Sequence, residues 1–421
     1  MVKKFLIAFF CVATHSIFAQ NGTISPYSSF GIGDLRDNAT VENKMMGGIS
    51  LYADSIHYSL RNPAAFSKLK LTTYTAGISH TEYRLEDFTE EQNTSVTNLE
   101  YLAIGFPLGK NIGLGFGLMP FSSVGYDLLS ETTNSEQQTV TNAFRGEGGL
   151  NRVFLSIGWE PIKNVSLGAT ANFNFGTLEY ERIQSVEDVQ FGTLDRRESR
   201  INGFDVNYAL NYTPSFKNKY TLYTSVLINT QANLVAENSE RLGSFSLVNG
   251  QEIEVIDVDL DATGLRNTEL KIPTRATLGL GFGEDKKWFF GGEYSFQQFS
   301  SFRNDFLGLD NVEYSDANSF AFGGYFIPDY KALSGYFKRI TYRAGLRYDV
   351  SGLVVNGREI NNFGITFGFG LPLGNSFSNL NLGFELGKRG TTDANLIRES
   401  YLQFNASLSL NDRWFVKRKI N

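Results

Sequence analysis

Apolar and polar residues alternate one for one through much of this chain. Across residues 400–410, Leu402, Phe404, Ala406, Leu408 and Leu410 fall on one face, and Gln403, Asn405, Ser407 and Ser409 on the other. Period two specifies a strand with one apolar side. The pattern repeats upstream. Leu380, Leu382, Phe384 and Leu386 oppose Asn381, Gly383 and Glu385, and Phe363, Ile365, Phe367, Phe369 and Leu371 form a further apolar row. Ile340, Tyr342, Ala344, Leu346 and Tyr348 oppose Arg343, Arg347 and Asp349. Val165, Leu167, Ala169, Ala171, Phe173 and Phe175 oppose Ser166, Thr170, Asn172 and Asn174. A soluble sandwich also alternates. Here the alternation recurs at membrane-spanning length in strand after strand. Apolar rows facing lipid leave the polar rows to line a lumen. Hydrocarbon offers the backbone no hydrogen-bond partner, so such a sheet must close on itself. The expected fold is all-β, a transmembrane antiparallel β-barrel.

The connections are of two kinds. Short turns such as PLGKN, EPIKN, TPSFKNK, GEDKK and PLGN, with a longer PDYKALSGYFKR, carry Pro, Gly and Asn in the manner of tight turns. Between them lie polar segments near 86–97, 122–148, 180–203, 234–270, 300–318, 351–361 and 388–397. Six short turns and seven long loops predict about fourteen strands, with both chain ends on the periplasmic, short-turn side. Trp159, Trp288 and Trp414 all sit beside short turns, where amphipathic rings suit the lipid headgroup level.

Composition favours the barrel over a soluble exported domain. Gly (42) and Phe (36) are abundant, Cys (1) and Met (4) are scarce, and charged residues make up only 19%. Residues 1–19 read as a removable export signal: Lys3 and Lys4, an apolar run over 5–13, then Ser16-Ile-Phe-Ala19 before Gln20. Phe10 is too bulky before Cys11 for a lipoprotein signal. Removing Lys3 and Lys4 leaves 36 basic residues against 44 acidic ones, a net charge of −8, without the basic clusters that nucleic acid requires. The remaining chain has no cysteine, so a disulfide framework and a thiolate site are both excluded.

The alternation begins after the seam SLRNPAAFSKLKL, residues 59–71. Residues 20–68 are turn-rich and polar. Pro63 restricts its own backbone and that of Asn62, and the Asn62 side chain can bond nearby backbone. Such a segment either turns a rigid corner from lumen to wall or forms a periplasmic tail.

The stretch MGGISLYADSIHYSLRNPAAFSKL resembles the N-terminal region of the FadL family of long-chain fatty-acid and hydrocarbon transporters. The matching residues are Gly47, Gly48, Ala53, Asp54, Asn62, Pro63 and Ala64. The resemblance implies that residues 20–68 form a plug inside a fourteen-stranded barrel spanning 69–421, with Asn62-Pro63-Ala64 as its hinge. It also implies an outer-membrane location and a wall in contact with outer-membrane lipid. A second likeness lies at Met119, Pro120 and Phe121. FadL-like barrels kink their third strand to open the wall sideways; alternatively, Pro120 simply ends that strand at the outer loop. The chain start and the ending NDRWFVKRKIN resemble FadL-like barrels of Bacteroidota, although the chain runs past Phe415 into Lys417, Arg418 and Lys419.

Chemistry for an enzyme is missing. His57 and His80 belong to no recognisable catalytic constellation or metal pair. Asp257, Asp259 and Asp261 alternate, which would set three carboxylates on one side of an extended segment, but the EF-hand glycine and glutamate are absent. A solvated acidic hairpin, turned by Asn249-Gly250, is the reading of this region. No catalytic residue, metal site or cofactor is expected.

Two functions remain. The resemblance implies passive uptake of a hydrophobic small molecule. Asp205, Glu293, Arg343 and Arg347, all predicted to face the lumen, favour the alternative: a structural or interaction subunit of an outer-membrane machine, for type 9 secretion or outer-membrane protein assembly, with outer-membrane or periplasmic protein partners. An open porin is disfavoured because residues 20–68 would obstruct it.

Overall fold

Fourteen antiparallel strands close into a barrel in the computed structural model, which describes residues 22–36, 38–217, 219–308, 311–374 and 377–413. The wall strands are β1 (Thr72–Glu86), β2 (Glu91–Pro107), β3 (Ile112–Thr133), β4 (Thr139–Ile162), β5 (Val165–Val186), β6 (Phe191–Tyr212) and β7 (Tyr220–Asn229). They continue with β8 (Arg275–Glu284), β9 (Trp288–Gln297), β10 (Ala317–Phe326), β11 (Thr341–Val355), β12 (Arg358–Pro372), β13 (Asn379–Arg389) and β14 (Arg398–Asp412). Each pairs with its sequence neighbours, and β14 returns to β1 from Thr72↔Asp412 to Glu86↔Arg398. The export signal and Trp414 lie outside the described residues, as does the chain beyond it.

Burial runs opposite to that of a soluble protein. On β14 the polar row is hidden, with Asn405 0%, Ser407 3% and Ser409 1% exposed. The apolar row faces out, with Leu402 45%, Leu408 38% and Leu410 46% exposed. On β11, Leu346 is outward and Arg343 buried. An apolar exterior around a polar interior is stable only where the exterior solvent is hydrocarbon. Trp159 is half exposed on the outer surface at the short-turn rim.

The wall is uneven in height. Strands β3 to β6 have 22 to 24 residues, whereas β7 to β10 have 10 each. About a dozen extra residues per strand add roughly 40 Å of length before tilt, at about 3.3 Å per residue. The expected loops at 86–97, 122–148 and 180–203 are therefore mostly strand: the turns between β1 and β2, β3 and β4, and β5 and β6 are confined to 87–90, 134–138 and 187–190. Polarity misled the sequence reading. Above the membrane the outward row is polar, and the buried inward residues Val124, Leu150, Leu178 and Leu234 are too few on each strand to mark a period.

Past β7 the chain continues upward as a strand at Ala232–Ser246, pairing with β6 from Asn233↔Phe204 to Ser246↔Phe191. It descends through Glu252–Asp257 and Asn267–Ile272, both paired to that strand. The hairpin expected at Asn249-Gly250 is thus present. The three aspartates do not share one extended face. The strand ends at Asp257, and the buried side chain of Leu260 draws the chain into a turn holding Asp259 and Asp261. Asp257 pairs with Arg241 at 2.9 Å and Asp261 with Arg266 at 3.4 Å.

The topology makes an accessibility prediction. An epitope inserted after Gly250 should be reached by antibody on intact cells, and one after Asn375, in the β12–β13 turn, only after permeabilisation. Labelling in the reverse order would invert the barrel.

Candidate functional site

Residues 22–70 contact inward faces around the barrel circumference. The segment contains a 3-10 turn at Pro26–Ser29, a two-residue strand at Asp34–Leu35, one helical turn at Val41–Lys44 and a second 3-10 turn at Pro63–Lys68. Thr40 caps the helical turn, its Oγ1 accepting from the Asn43 amide at 3.4 Å.

Asn62-Pro63-Ala64 sits where this segment meets β4, β5 and β6. Pro63 opens the 3-10 turn, where its missing N–H costs nothing. Asn62 is fully buried, and its Nδ2 donates to the Ser50 carbonyl and to Asn211 Oδ1 on β6, both at 3.1 Å. Backbone lies directly on backbone here. A Cβ at Gly168 would stand 2.2 Å from the Ala64 nitrogen, so β5 admits only glycine at that point. Gly47, at φ +73°, presses on β10 and β11: a Cβ there would meet the Phe322 and Leu346 carbonyl oxygens at 2.7 and 2.6 Å. Gly48 also has positive φ, and its carbonyl accepts from Arg61 at 2.8 Å. The tripeptide is a turn docked against β4, β5 and β6.

Charged groups fasten the segment further. Lys44 Nζ meets Glu100 on β2 at 2.6 Å, both side chains buried. The Ser50 amide donates to Glu293 on β9 at 2.7 Å, with Arg61 at 3.8 Å from the same carboxylate. Glu42 accepts from Asn381 on β13 at 2.8 Å and from Ser409 on β14 at 2.9 Å. Asp34 pairs with Arg389 at 2.8 Å, and Ser25 donates to Glu399. Asp54 bonds within its own segment, to His57 Nδ1 at 2.5 Å and to the amides of Ile56 and His57 at 2.9 and 2.8 Å. Ala53 precedes this turn, half-buried. Asp37 lies outside the described residues.

Apolar packing is as prominent as these bonds, a feature sequence reasoning missed. Val41, Met45, Tyr58, Leu60 and Phe66 cluster with Tyr101, Met119 and Phe154. Met46, Ile49 and Leu51 cluster with Tyr223, Phe289, Ala321 and Tyr325. The wall glycines beneath them hid the signal. Met45 packs where Gly368 and Gly383 have no side chain, so no apolar inward row announces the contact.

The other lumen charges are internally paired. Asp205 accepts from Arg152 at 2.9 Å, Asn172 at 2.6 Å and Asn174 at 2.7 Å. Arg347 meets Glu385 at 2.8 Å, the Tyr401 hydroxyl and Asp349. Arg343 is buried and donates to Asn381 at 3.2 Å. Asp205, Glu293 and Arg347 also line a cavity of about 430 Å³ between the N-terminal segment and the long-loop rim, with Arg36, Arg152 and Glu385. His80 is exposed, between Thr97 and Glu82.

Pro120 marks a break in the wall. β2 and β3 pair only from Leu102↔Leu118 to Pro107↔Gly113. Above that, β2 follows β1 and β3 follows β4, with a register shift between Pro120 and Ser122, the bulge at which a strand tolerates proline. β3 runs on to Thr133, so Pro120 does not end the strand. Met119 and Phe121 point inward, and Arg152 lies 4.0 Å over the Phe121 ring. The Asp34–Leu35 strand occupies the break, pairing Asp34↔Ser123 and Leu35↔Ser122, and the Arg36 amide donates to the Phe121 carbonyl at 3.0 Å. Leu35, in this added strand, is 40% exposed.

A family model described as BamG matches residues 1–421. The chain belongs to the BamG family. No curated protein matches the sequence. Among solved structures, a toluene transporter of Pseudomonas putida, TodX, is similar with a TM-score of 0.61 at 17% identity, covering 91% of this chain and 100% of that one. The Ralstonia pickettii toluene transporter TbuX gives 0.58 at 12% identity, covering 92% and 100%. A Pseudomonas aeruginosa FadL homologue gives 0.59 at 10% identity, covering 91% and 100%. At these identities the likeness is one of fold: this BamG-family chain has the FadL-type barrel, and none of these neighbours is an enzyme.

Two predictions test the fastening. Lys44→Met leaves Glu100 buried and unpaired, so it should lower unfolding stability in lipid vesicles by about 3–5 kcal/mol. Adding Glu100→Gln should recover more than half of the loss. For the second pair, burial disfavours both charges, but His57 and the two amides hold Asp54 down at about 2, and Asp54 raises His57 above its ordinary 6.5. The raised His57 stabilises fully below pH 6.5, and this contribution disappears as pH rises through the folded value; the lowered Asp54 stabilises above pH 3.8 and is lost toward pH 2. The thermal stability gap between the native chain and His57→Gln should therefore be widest between pH 4 and 6.5 and close at alkaline pH.

Proposed function

We propose that this barrel is a non-transporting structural subunit of an outer-membrane machine for outer-membrane protein assembly, its lumen closed by residues 20–68. The observation that carries the reading is the all-round fastening of that segment. Buried bonds from Ser25, Asp34, Glu42, Lys44, Ser50 and Asn62 reach β2, β6, β9, β13 and β14. A passage for apolar solutes gains nothing from charges buried at such cost. Membership of the BamG family supports the same reading.

A second reading, uptake of a hydrophobic small molecule, has its own support: the fold shared with toluene transporters, and an apolar patch inside the upper wall. Ile32, Phe121, Val124, Leu150, Leu178 and Leu234 cluster there, beside the break between β2 and β3 and beneath Phe302 of the β9–β10 loop. Met119, Pro120 and Phe121 would border the sideways route, and Asn62-Pro63-Ala64 would anchor the plug in either reading.

Two measurements decide. In planar bilayers the full-length barrel should be nearly silent, and deletion of residues 22–60 should raise its conductance at least severalfold. Equal conductance would show that the segment closes nothing. Deleting the gene should reduce the amount of other β-barrel proteins folded in the outer membrane and leave toluene uptake unchanged. Lost uptake with normal barrel protein levels establishes the second reading instead.

A further inference from the structure

The tall side of the barrel ends in a strand edge with which no other strand pairs among the described residues. Strands β3, β4, β5 and β6, with Ala232–Ser246 and Glu252–Asp257, form one sheet above the membrane band. The last strand, Glu252–Asp257, pairs only with Ala232–Ser246, and all six of its residues are exposed, including Ile253 at 56%, Val255 at 47% and Ile256 at 56%. The Val258 amide donates to the Glu240 carbonyl at 3.0 Å, inward to the neighbouring strand. Antiparallel backbone groups alternate in direction, so the N–H and C=O of Val255 and Asp257 point outward, toward no strand. Such an edge is a template for one more strand.

Its side chains state what would fit. A bulge at Ile253 breaks the alternation: Glu252, Val255 and Asp257 lie opposite Phe245, Gly243 and Arg241 on one face, and Glu254 and Ile256 lie opposite Ser244 and Leu242 on the other. Residues 252–261 hold five carboxylates and no basic residue. A second copy of the chain pairing edge to edge would bring these carboxylates against each other, which is unfavourable. We propose that the Glu252–Asp257 edge docks an extended segment of a protein partner at the cell surface, as an added strand. That segment carries Lys or Arg among apolar residues, its basic groups meeting Glu252 and Glu254 and its apolar ones Val255 and Ile256. The inference deepens the subunit reading and rests on it, and it names where the partner sits.

The test uses the full-length chain in lipid nanodiscs. The probe is a labelled, end-capped peptide alternating Lys and Val, with an alternating Glu and Val peptide beside it, and binding is followed by fluorescence anisotropy. The Lys-Val peptide should bind and the Glu-Val peptide should not. Val255→Pro removes one outward N–H and leaves the inward ladder intact, so it should weaken binding at least tenfold without lowering the melting temperature. Glu252→Gln with Glu254→Gln keeps every backbone group and should both weaken binding and flatten its salt dependence, whereas Asp259→Asn with Asp261→Asn, in the turn, should do neither. Binding unchanged by Val255→Pro would reduce the contact to charge alone and overturn the strand docking, as would no binding at all. Disulfide dimers of Val255→Cys in intact membranes would assign the edge to a second copy and overturn the choice of partner. Bilayer conductance and toluene uptake are independent of this edge, so failure of the docking and failure of the subunit reading give different results.

Discussion

Hydrocarbon supplies no hydrogen bonds, and this one fact governs the molecule from its wall to its N-terminus. Every backbone group at membrane depth must find a partner within the chain, so fourteen strands close and each apolar row turns outward. The sheet has one serious gap, above Leu102 and Leu118, where β2 and β3 part. The same constraint explains what fills it. Asp34–Leu35 lends its backbone to Ser122 and Ser123 and passes Asp34 to Arg389. The N-terminal segment is thus both content and wall. Gly33, at φ +89° and with no room for a Cβ against the Ser123 carbonyl, allows the two backbones to meet.

Glycine performs the complementary task inside. A barrel of this size leaves a space that residues 22–70 fill only if backbone can approach backbone, and Gly158, Gly168, Gly323 and Gly345 are the places where it does. Charge then selects a single seating. Lys44 meets its carboxylate opposite Glu100, and the Ser50 amide meets its own opposite Glu293. Shifting the segment by one strand would bury each of these groups alone, at several kcal/mol apiece. The polar pairs contribute uniqueness of position, and the apolar clusters around Met45 and Leu51 add adhesion that is not directional.

These roles explain what could be read from sequence. The wall was legible because its signal is periodic and repeated: Asn405, Ser407 and Ser409 against Leu402, Leu408 and Leu410 leaves little choice of register. The seam was legible as a position, since Pro63 interrupts any regular element, but its docking partners were not. Glycine offers no side chain to pattern, so the contact of Ala64 with Gly168 leaves no periodic trace. Lys44 and Glu100 are 56 residues apart and look like ordinary charges until closure brings them together. The tall strands were taken for loops because their outward row is polar, and the few inward apolar residues, such as Leu178 and Leu234, do not make the repeating row on which strand recognition depends.

The two rims of the barrel follow from this asymmetry. On the short-turn side the strands stop near the headgroups, and turns such as Lys163-Asn164 and Asp285-Lys286 reverse the chain at once. On the other side four strands continue for about a dozen residues beyond the length that a membrane requires, at roughly 3.3 Å each. Closure does not call for that extension, since β7 to β10 complete their span with 10 residues each; its inner face instead packs Val124, Leu178 and Leu234 beneath Phe302. Its internal ion pairs, Arg145–Asp127, Arg196–Glu181 and Arg241–Asp257, are exposed and add little stability. The extension is held instead by the apolar cluster on its inner face, and its outermost strand, Glu252–Asp257, presents an acidic edge with all six residues exposed.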